Sequence, residues 1–214
     1  GWVFDQKSIA PVGFLMAKEI KSYTPVANAY QYTDLPLDHP YRMMMLQSKS
    51  TDKEPGEVLN QVKLSEDNDK RVPIDLTGQE LFRKFGTLPG RFEETFDGAD
   101  AVTASDLYGA ATAFVKALAE VDADVIAAND DFSQVTIAGN KYSVALAVSC
   151  LYYGFHSFGY CPHFCLPIYF GDQDDLDDWY DVTKLGSLRL TQQGAAAVGT
   201  TPSGQIVLQQ LRRT

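Results

Sequence analysis

Val58-Leu-Asn-Gln-Val62-Lys-Leu64-Ser-Glu-Asp-Asn-Asp-Lys-Arg71-Val72-Pro73-Ile74-Asp-Leu76 reads as strand, turn, strand. Val58, Val62 and Leu64 fall at even spacing, the pattern of a half-buried strand whose side chains alternate between two faces. Residues 65–71 are charged and rich in Asp and Asn, which tolerate left-handed backbone and bond their own chain, so the segment turns. Val72, Ile74 and Leu76 then alternate strictly. Pro73 assigns this second strand to a sheet edge, where a missing N–H costs no ladder bond.

The same grammar extends upstream. Phe14-Leu15-Met16, then Ile20, Tyr23, Val26 and Tyr30, read as strands broken by Pro11, Gly13 and Pro25. Residues 33–40, with two Pro and two Asp, form a loop. The run from Tyr41 to Gln47, with Met43, Met44 and Met45, is short and follows a Pro, so it is a buried strand rather than a helix. Downstream, Thr77 to Phe85 predicts a short helix opened by a Thr77–Glu80 capping box and stopped by Gly86. Residues 88–99 read as a loop containing Pro89, Gly90 and Gly98.

The clearest expected helix runs from Ala104 to about Val121. Thr103 or Ser105 caps it, and Leu107, Ala110, Ala111, Phe114, Val115, Leu118 and Val121 mark one face. Residues 122–131 are acidic and partly helical in this reading. Beyond them β character returns in residues 133–137, 141–153, 164–170, 179–190 and 205–211, with turns at Gly139-Asn140 and 194–204. Strands, one or two helical insertions, then strands again predict an all-β-dominated chain: an antiparallel β-sandwich of jelly-roll type. No repeat of 20–50 residues and no alternating βα units are present. Residues 1–214 are read as a single jelly-roll-like domain, or one domain of a longer chain.

Composition narrows the function. Eighteen Lys and Arg against 28 Asp and Glu give a net charge of −10, and no basic run exceeds two residues. A phosphate-gripping surface needs a basic stripe, so direct nucleic-acid binding is not expected beyond the C-terminal Arg212-Arg213. No stretch is long and apolar enough to read as a membrane span. Three Cys, Cys150, Cys161 and Cys165, do not make a disulfide framework. The opening Gly1-Trp2-Val3-Phe4 lacks Met, which suits a processed product, a fragment or one domain of something longer.

Two constellations merit a metal test. Cys161-Pro-His163-Phe-Cys165 would place two thiolates and an imidazole on one strand face, with His156 as a fourth ligand. The crowded aromatic surroundings favour inert buried thiols instead. Asp172-Gln-Asp174-Asp175-Leu-Asp177-Asp178, followed by Asp181, offers hard oxygens for calcium. The EF-hand positions 6 and 12 hold Asp177 and Thr183, so that pattern fails, and a solvated loop tip is the simpler reading. No nucleophile elbow, zinc-protease helix or nucleotide loop is present. No catalytic residue, no metal site and no cofactor is assigned, and the chain is not read as an enzyme.

Two segments resemble known proteins. Residues 30–47, Tyr-Gln-Tyr-Thr-Asp-Leu-Pro-Leu-Asp-His-Pro-Tyr-Arg-Met-Met-Met-Leu-Gln, running on to Asn60-Gln-Val-Lys-Leu-Ser-Glu-Asp-Asn-Asp-Lys70, resemble a region of jelly-roll major capsid proteins of icosahedral viruses and phages. Leu166-Pro-Ile-Tyr-Phe-Gly-Asp172, with Leu185-Gly-Ser-Leu-Arg-Leu190, resembles their C-terminal half. The resemblance spans roughly half the chain in loose patterns. It implies an eight-stranded jelly roll standing upright in a shell. It also implies trimers or larger assemblies, other virion proteins as partners, and residence in the virion. Family members often carry two such domains; this chain has strands enough for one plus insertions. No functional residues carry over, because surfaces do the family's work.

The expected function is therefore a capsid shell subunit assembling through side-to-side contacts, with residues 65–71, 88–99 and 171–180 as tip or contact loops. An acidic exterior keeps many copies soluble before assembly. The alternative is a carbohydrate-binding, lectin-like jelly roll, for which Asp178-Trp179-Tyr180-Asp181 is the candidate. A metal-dependent cupin-type enzyme comes third, poorly supplied by His39, His156 and His163.

Overall fold

A computed structural model describes residues 12–51, 53, 55–101, 105–109, 114–121, 135–138, 141–146 and 150–213, with side chains over 12–50, 53, 55–95 and 159–213. The strand–turn–strand predicted over residues 58–76 folds as expected from Leu59 on, while Val58 instead ends a one-turn helix, α1 (Pro55–Val58). β4 (Leu59–Glu66) and β5 (Arg71–Thr77) pair antiparallel. Asp67, Asn68 and Asp69 between them all take positive φ, the conformation those residue types tolerate best. Pro73 sits beside a register shift between Leu64 and Glu66, on a strand at the edge of its sheet.

The other strands nest around this hairpin. β3 (Tyr41–Thr51) pairs with β12 (Cys165–Tyr169), β2 (Tyr30–Asp34) with β13 (Leu188–Gly194), and β1 (Gly13–Tyr23) with β14 (Thr200–Arg213), all antiparallel. Such nesting is one long hairpin. Rolling it up adds the ladders β14·β3 and β13·β4. Two four-stranded sheets result, with orders β1-β14-β3-β12 and β2-β13-β4-β5. That interleaving is the jelly roll, an antiparallel double sheet of two Greek keys.

Alternation decides what lies between the sheets. Met44 and Leu46 of β3, Leu166 and Ile168 of β12, and Ile206 and Leu208 of β14 are buried from one side. Val62 and Leu64 of β4, Ile74 of β5, and Leu188 and Leu190 of β13 meet them from the other, in one continuous core. The alternation runs past the apolar residues: Ser48, Ser50, Gln192 and Gln210 also occupy inward positions and are buried.

After β5 the capping box forms as its sequence predicts. Thr77 Oγ1 accepts from the Glu80 N–H at 3.2 Å, and Glu80 Oε2 accepts from the Thr77 N–H at 2.9 Å. It opens α2 (Gly78–Leu81), continued by a π-helical turn over Phe82–Gly86. Leu81 is buried in the core. Gly78 has no substitute, since a Cβ there would lie 1.9 Å from the Leu59 carbonyl oxygen.

Three expectations are corrected. Where it is described, the predicted helix from Ala104 to Val121 is instead β7 (Ser105–Gly109) and β8 (Phe114–Val121), and its residues 104 and 110–113 lie outside the described residues. Its apolar residues also fit a two-residue period (Val115, Ala117, Ala119, Val121). β8 satisfies its backbone in a ladder with β11 (Cys150–Gly159), so non-local pairing overrides alanine's helix preference. The predicted loop over residues 88–99 is a turn only through Gly90, whose N–H bonds the Thr87 carbonyl at 3.2 Å. β6 (Phe92–Ala101) follows and pairs with β11. The strand predicted over 179–190 begins only at Leu188, because side chains claim the backbone before it. Asp181 Oδ1 accepts from the Thr183 N–H at 3.0 Å, and Asp67 Oδ1 accepts from the N–H groups of Gly186 and Ser187 at 2.7 and 3.0 Å. β9 (Val135–Ala138) and β10 (Lys141–Leu146) pair with each other, and β10 pairs with β7. The expectation for residues 122–131 lies outside the described residues.

Candidate functional site

The structure places the sequence candidates as follows. Cys161, His163 and Cys165 do not share a strand face. Cys161 and His163 have left-handed backbone around a 3-10 turn over Pro162–Phe164, and only Cys165 enters β12. Cys161 is fully buried, its Sγ 3.8 Å from the Gly86 carbonyl oxygen, while His163 is exposed. Burial pushes the Cys165 thiol up, away from the thiolate a metal needs. The His156 side chain lies outside the described residues. His39 precedes β3, whereas the His163 carbonyl accepts from Gln47 far along the same strand. Six strand residues between Tyr41 and Gln47 correspond to about 20 Å, so the two imidazoles share no centre.

The aspartate run is a loop tip, as the simpler reading expects. Its carboxylates bond backbone: Asp178 Oδ2 accepts from the Asp172 N–H at 2.7 Å, Asp172 Oδ1 from Asp174 at 3.0 Å, and Asp175 Oδ1 from Asp177 at 3.0 Å. Among the described residues no group of three or more His, Cys, Asp or Glu is arranged to hold a metal ion. The loop is pinned by Trp179, 5% exposed, whose Nε1 donates to the Asp172 carbonyl at 2.9 Å with the Arg42 guanidinium over its ring. Tyr180 donates to Glu66 and stacks on Phe170 at 5.1 Å. Burial, then the Glu66 carboxylate, push its phenol far above the usual range. The aromatic pair singled out for sugar binding is thus internal packing.

Two surface features were not singled out by sequence. The first is β1, an 11-residue edge strand. Among the described residues it pairs only with β14. Phe14 and Leu15, adjacent and therefore pointing to opposite faces, are 50% and 46% exposed, and Val12 just before them is 56% exposed. The signal was present, because a strand buried on one face only would not carry Phe-Leu-Met in succession.

The second is the outer face of the β2-β13-β4-β5 sheet, which carries a groove of about 460 Å³. Tyr30 and Tyr32 lie two residues apart on β2, hence on one face. They are 53% and 56% exposed, with ring planes 19° apart and centroids 6.2 Å apart. Asp34 continues that face and accepts from Arg189 Nε at 2.8 Å. Beside this pair, Gln61 Nε2 donates to Asp75 Oδ1 at 2.5 Å, and Lys63 Nζ lies 2.8 Å from Asp69 Oδ1. The hydrogen bonds from Lys63 and then Ser65 hold the Asp69 carboxyl below its usual range, and Asp34 pushes Arg189 up. Three carboxylates, Asp34, Asp69 and Asp75, thus meet two cations, Lys63 and Arg189, at the groove.

No model of a known protein family matches the chain, and no curated protein matches it. Among solved structures, the chain is similar to the crystal structure of the STIV MCP at 10% identity and a TM-score of 0.48. That match covers 94% of this chain and 50% of the other, so this chain spans about half the length of the solved protein. It is also similar to the major capsid protein P2 from bacteriophage PM2, at 9% identity and a TM-score of 0.28, over 93% of this chain and 98% of that one.

Proposed function

We propose that the chain is a non-catalytic structural subunit of a viral capsid, one jelly-roll domain that assembles side to side into trimers or a larger shell. A jelly roll by itself serves shells, lectins and cupins alike, so surfaces must decide. The observation that carries this reading is β1. Its first half, with Phe14 and Leu15 exposed on opposite faces and no charge before Lys18, is a template for intermolecular pairing of the kind that charges, a register shift or proline blunt elsewhere. The resemblance to jelly-roll capsid proteins supports the same reading, since the resembling segments fall on β2 to β4 and on β12 and β13. Neighbouring subunits and other virion proteins are the partners it implies, and the virion its place.

Phe14 and Leu15 are about half exposed, so covering the remainder at a contact contributes about 0.7–1.5 kcal/mol each, a factor of about three to ten in Kd per residue. Light scattering after size exclusion is expected to show a trimer or larger species. In Phe14→Asp/Leu15→Asp it is expected to show monomers with an unchanged circular-dichroism spectrum. A wild type that stays monomeric at high concentration, or a double variant that assembles normally, overturns the reading.

A further inference from the structure

We propose that the groove on the outer face of the β2-β13-β4-β5 sheet binds a neutral oligosaccharide, with a sugar ring lying against the stacked Tyr30–Tyr32 pair and the hydroxyls taken by the Asp34–Arg189 and Gln61–Asp75 pairs. The inference does not rest on the capsid reading, since a monomer would carry the same groove.

The argument begins with strand geometry. Tyr30, Tyr32 and Asp34 project from one face of β2 at successive same-side positions. A sugar ring has an apolar C–H face and a polar rim, so it lies against an aromatic ring while its rim seeks hydrogen bonds. The two tyrosine rings stack on one another, 19° from parallel with centroids 6.2 Å apart, and the pair as a whole offers ring surface to a sugar at the groove. Buried aromatic packing does not account for them, because both rings are more than half exposed.

The polar groups complete the chemistry. Arg189 on Asp34 and Gln61 on Asp75 are planar groups already bonded to one another and held on neighbouring strands. A fixed carboxylate retains acceptor positions after one such bond, and a guanidinium or amide retains donors. Adjacent sugar hydroxyls, each both donor and acceptor, bridge such pairs. Charge separates this ligand from its rivals. Asp34, Asp69 and Asp75 outnumber Arg189 and Lys63 by one across the groove, so an anionic phosphate meets no field of opposite sign and a cationic peptide finds a single carboxylate in excess. The groove volume of about 460 Å³ lies in the range of small-ligand sites.

The test titrates cellotetraose, maltotetraose, chitotetraose and N-acetyllactosamine, with sialyllactose as the anionic comparison, into the isotopically labelled 214-residue chain followed by NMR. At least one neutral sugar is expected to saturate shifts of Tyr30, Tyr32 and Arg189 in or below the millimolar range and to bind more tightly than sialyllactose. Tyr32→Ala is expected to weaken binding at least tenfold. Tyr32→Phe, which keeps the ring, stays within about threefold of wild type, and Phe14→Asp binds as wild type. Thermal melts confirm that each variant is folded. The proposal is overturned if no neutral sugar saturates these shifts, if Tyr32→Ala binds normally, or if raising the protein concentration alone moves the same resonances. The last result would assign the face to a second copy of the chain.

Discussion

The edge strands β1 and β5 solve opposite problems. β5 is seven residues long, carries Pro73 beside a register shift, and turns Arg71 and Asp75 to solvent. Each feature discourages a stranger from extending the sheet: proline withholds a donor, irregular register breaks the ladder, and charge resists burial. β1 is 11 residues long, has no proline, and divides in two: Lys18, Glu19 and Lys21 and a register shift after Glu19 guard its second half, while its first half exposes Phe14 and Leu15. One fold thus contains a guarded edge and an edge guarded over half its length. The open half is where the subunit contact proposed above would form.

Paired truncations sharpen that contrast and give the largest expected effect. Leu81, just past β5, is fully buried with Leu59 and Val62 in the core. Leu81→Ala is expected to cost about 2–5 kcal/mol, through lost transfer energy and the cavity left behind. Phe14→Ala, at a half-exposed position on the open edge, is expected to cost the isolated subunit under about 1 kcal/mol. Urea unfolding at low protein concentration measures both. If Phe14→Ala costs the subunit as much as Leu81→Ala, β1 is holding its own sandwich together and its exposure loses the meaning given it above.

A smaller effect probes how the guarded edge is terminated. Thr77 closes β5 and caps α2 in one residue. Thr77→Ala removes the side-chain acceptor for the Glu80 N–H and is expected to lower stability by about 0.5–2 kcal/mol. Among the described residues no side-chain cap closes β1 at Ser22, so a polar truncation there should cost less than Thr77→Ala. Calorimetric melts of Thr77→Ala and Ser22→Ala compare the two strand ends.

Legibility in the sequence followed the range of the interactions. The β4–β5 hairpin, the edge placement of Pro73 and the capping box were readable because each is fixed within a few residues by alternation, proline geometry or a side chain reaching its own backbone. β8 was misread because residues 104–121 satisfy both a helical and a two-residue period, and only a partner strand distant in sequence breaks the tie. Ser48, Ser50, Gln192 and Gln210 hid the inward face of their strands, since polar residues there imitate an outward one. The groove was hidden for a related reason. The i, i+2, i+4 spacing of Tyr30, Tyr32 and Asp34 was visible, but nothing local says which face of a strand meets water. Trp179 and Tyr180 look more like a sugar platform in one dimension, and they are packing in three.

The smallest expected effect is a pH dependence centred on the guarded edge. The Thr77 N–H, then the Thr77 side chain, hold the Glu80 carboxyl below its usual range. A carboxyl depressed in the folded state binds its proton less readily there than in the unfolded chain. Its contribution is therefore complete above the ordinary glutamate range and is lost as pH falls through the lowered value. Glu80→Gln keeps an acceptor at the cap but cannot titrate. It is expected to melt below wild type near neutrality, with the gap closing as the solution is acidified. Phe14→Ala removes no titrating group, so its gap from wild type should stay level over the same series. Melting temperatures taken by circular dichroism across the acid range decide it. A Glu80→Gln gap that ignores pH would mean that the charge on this carboxylate contributes nothing at the end of β5, leaving the amide-equivalent hydrogen bond as the whole of the cap.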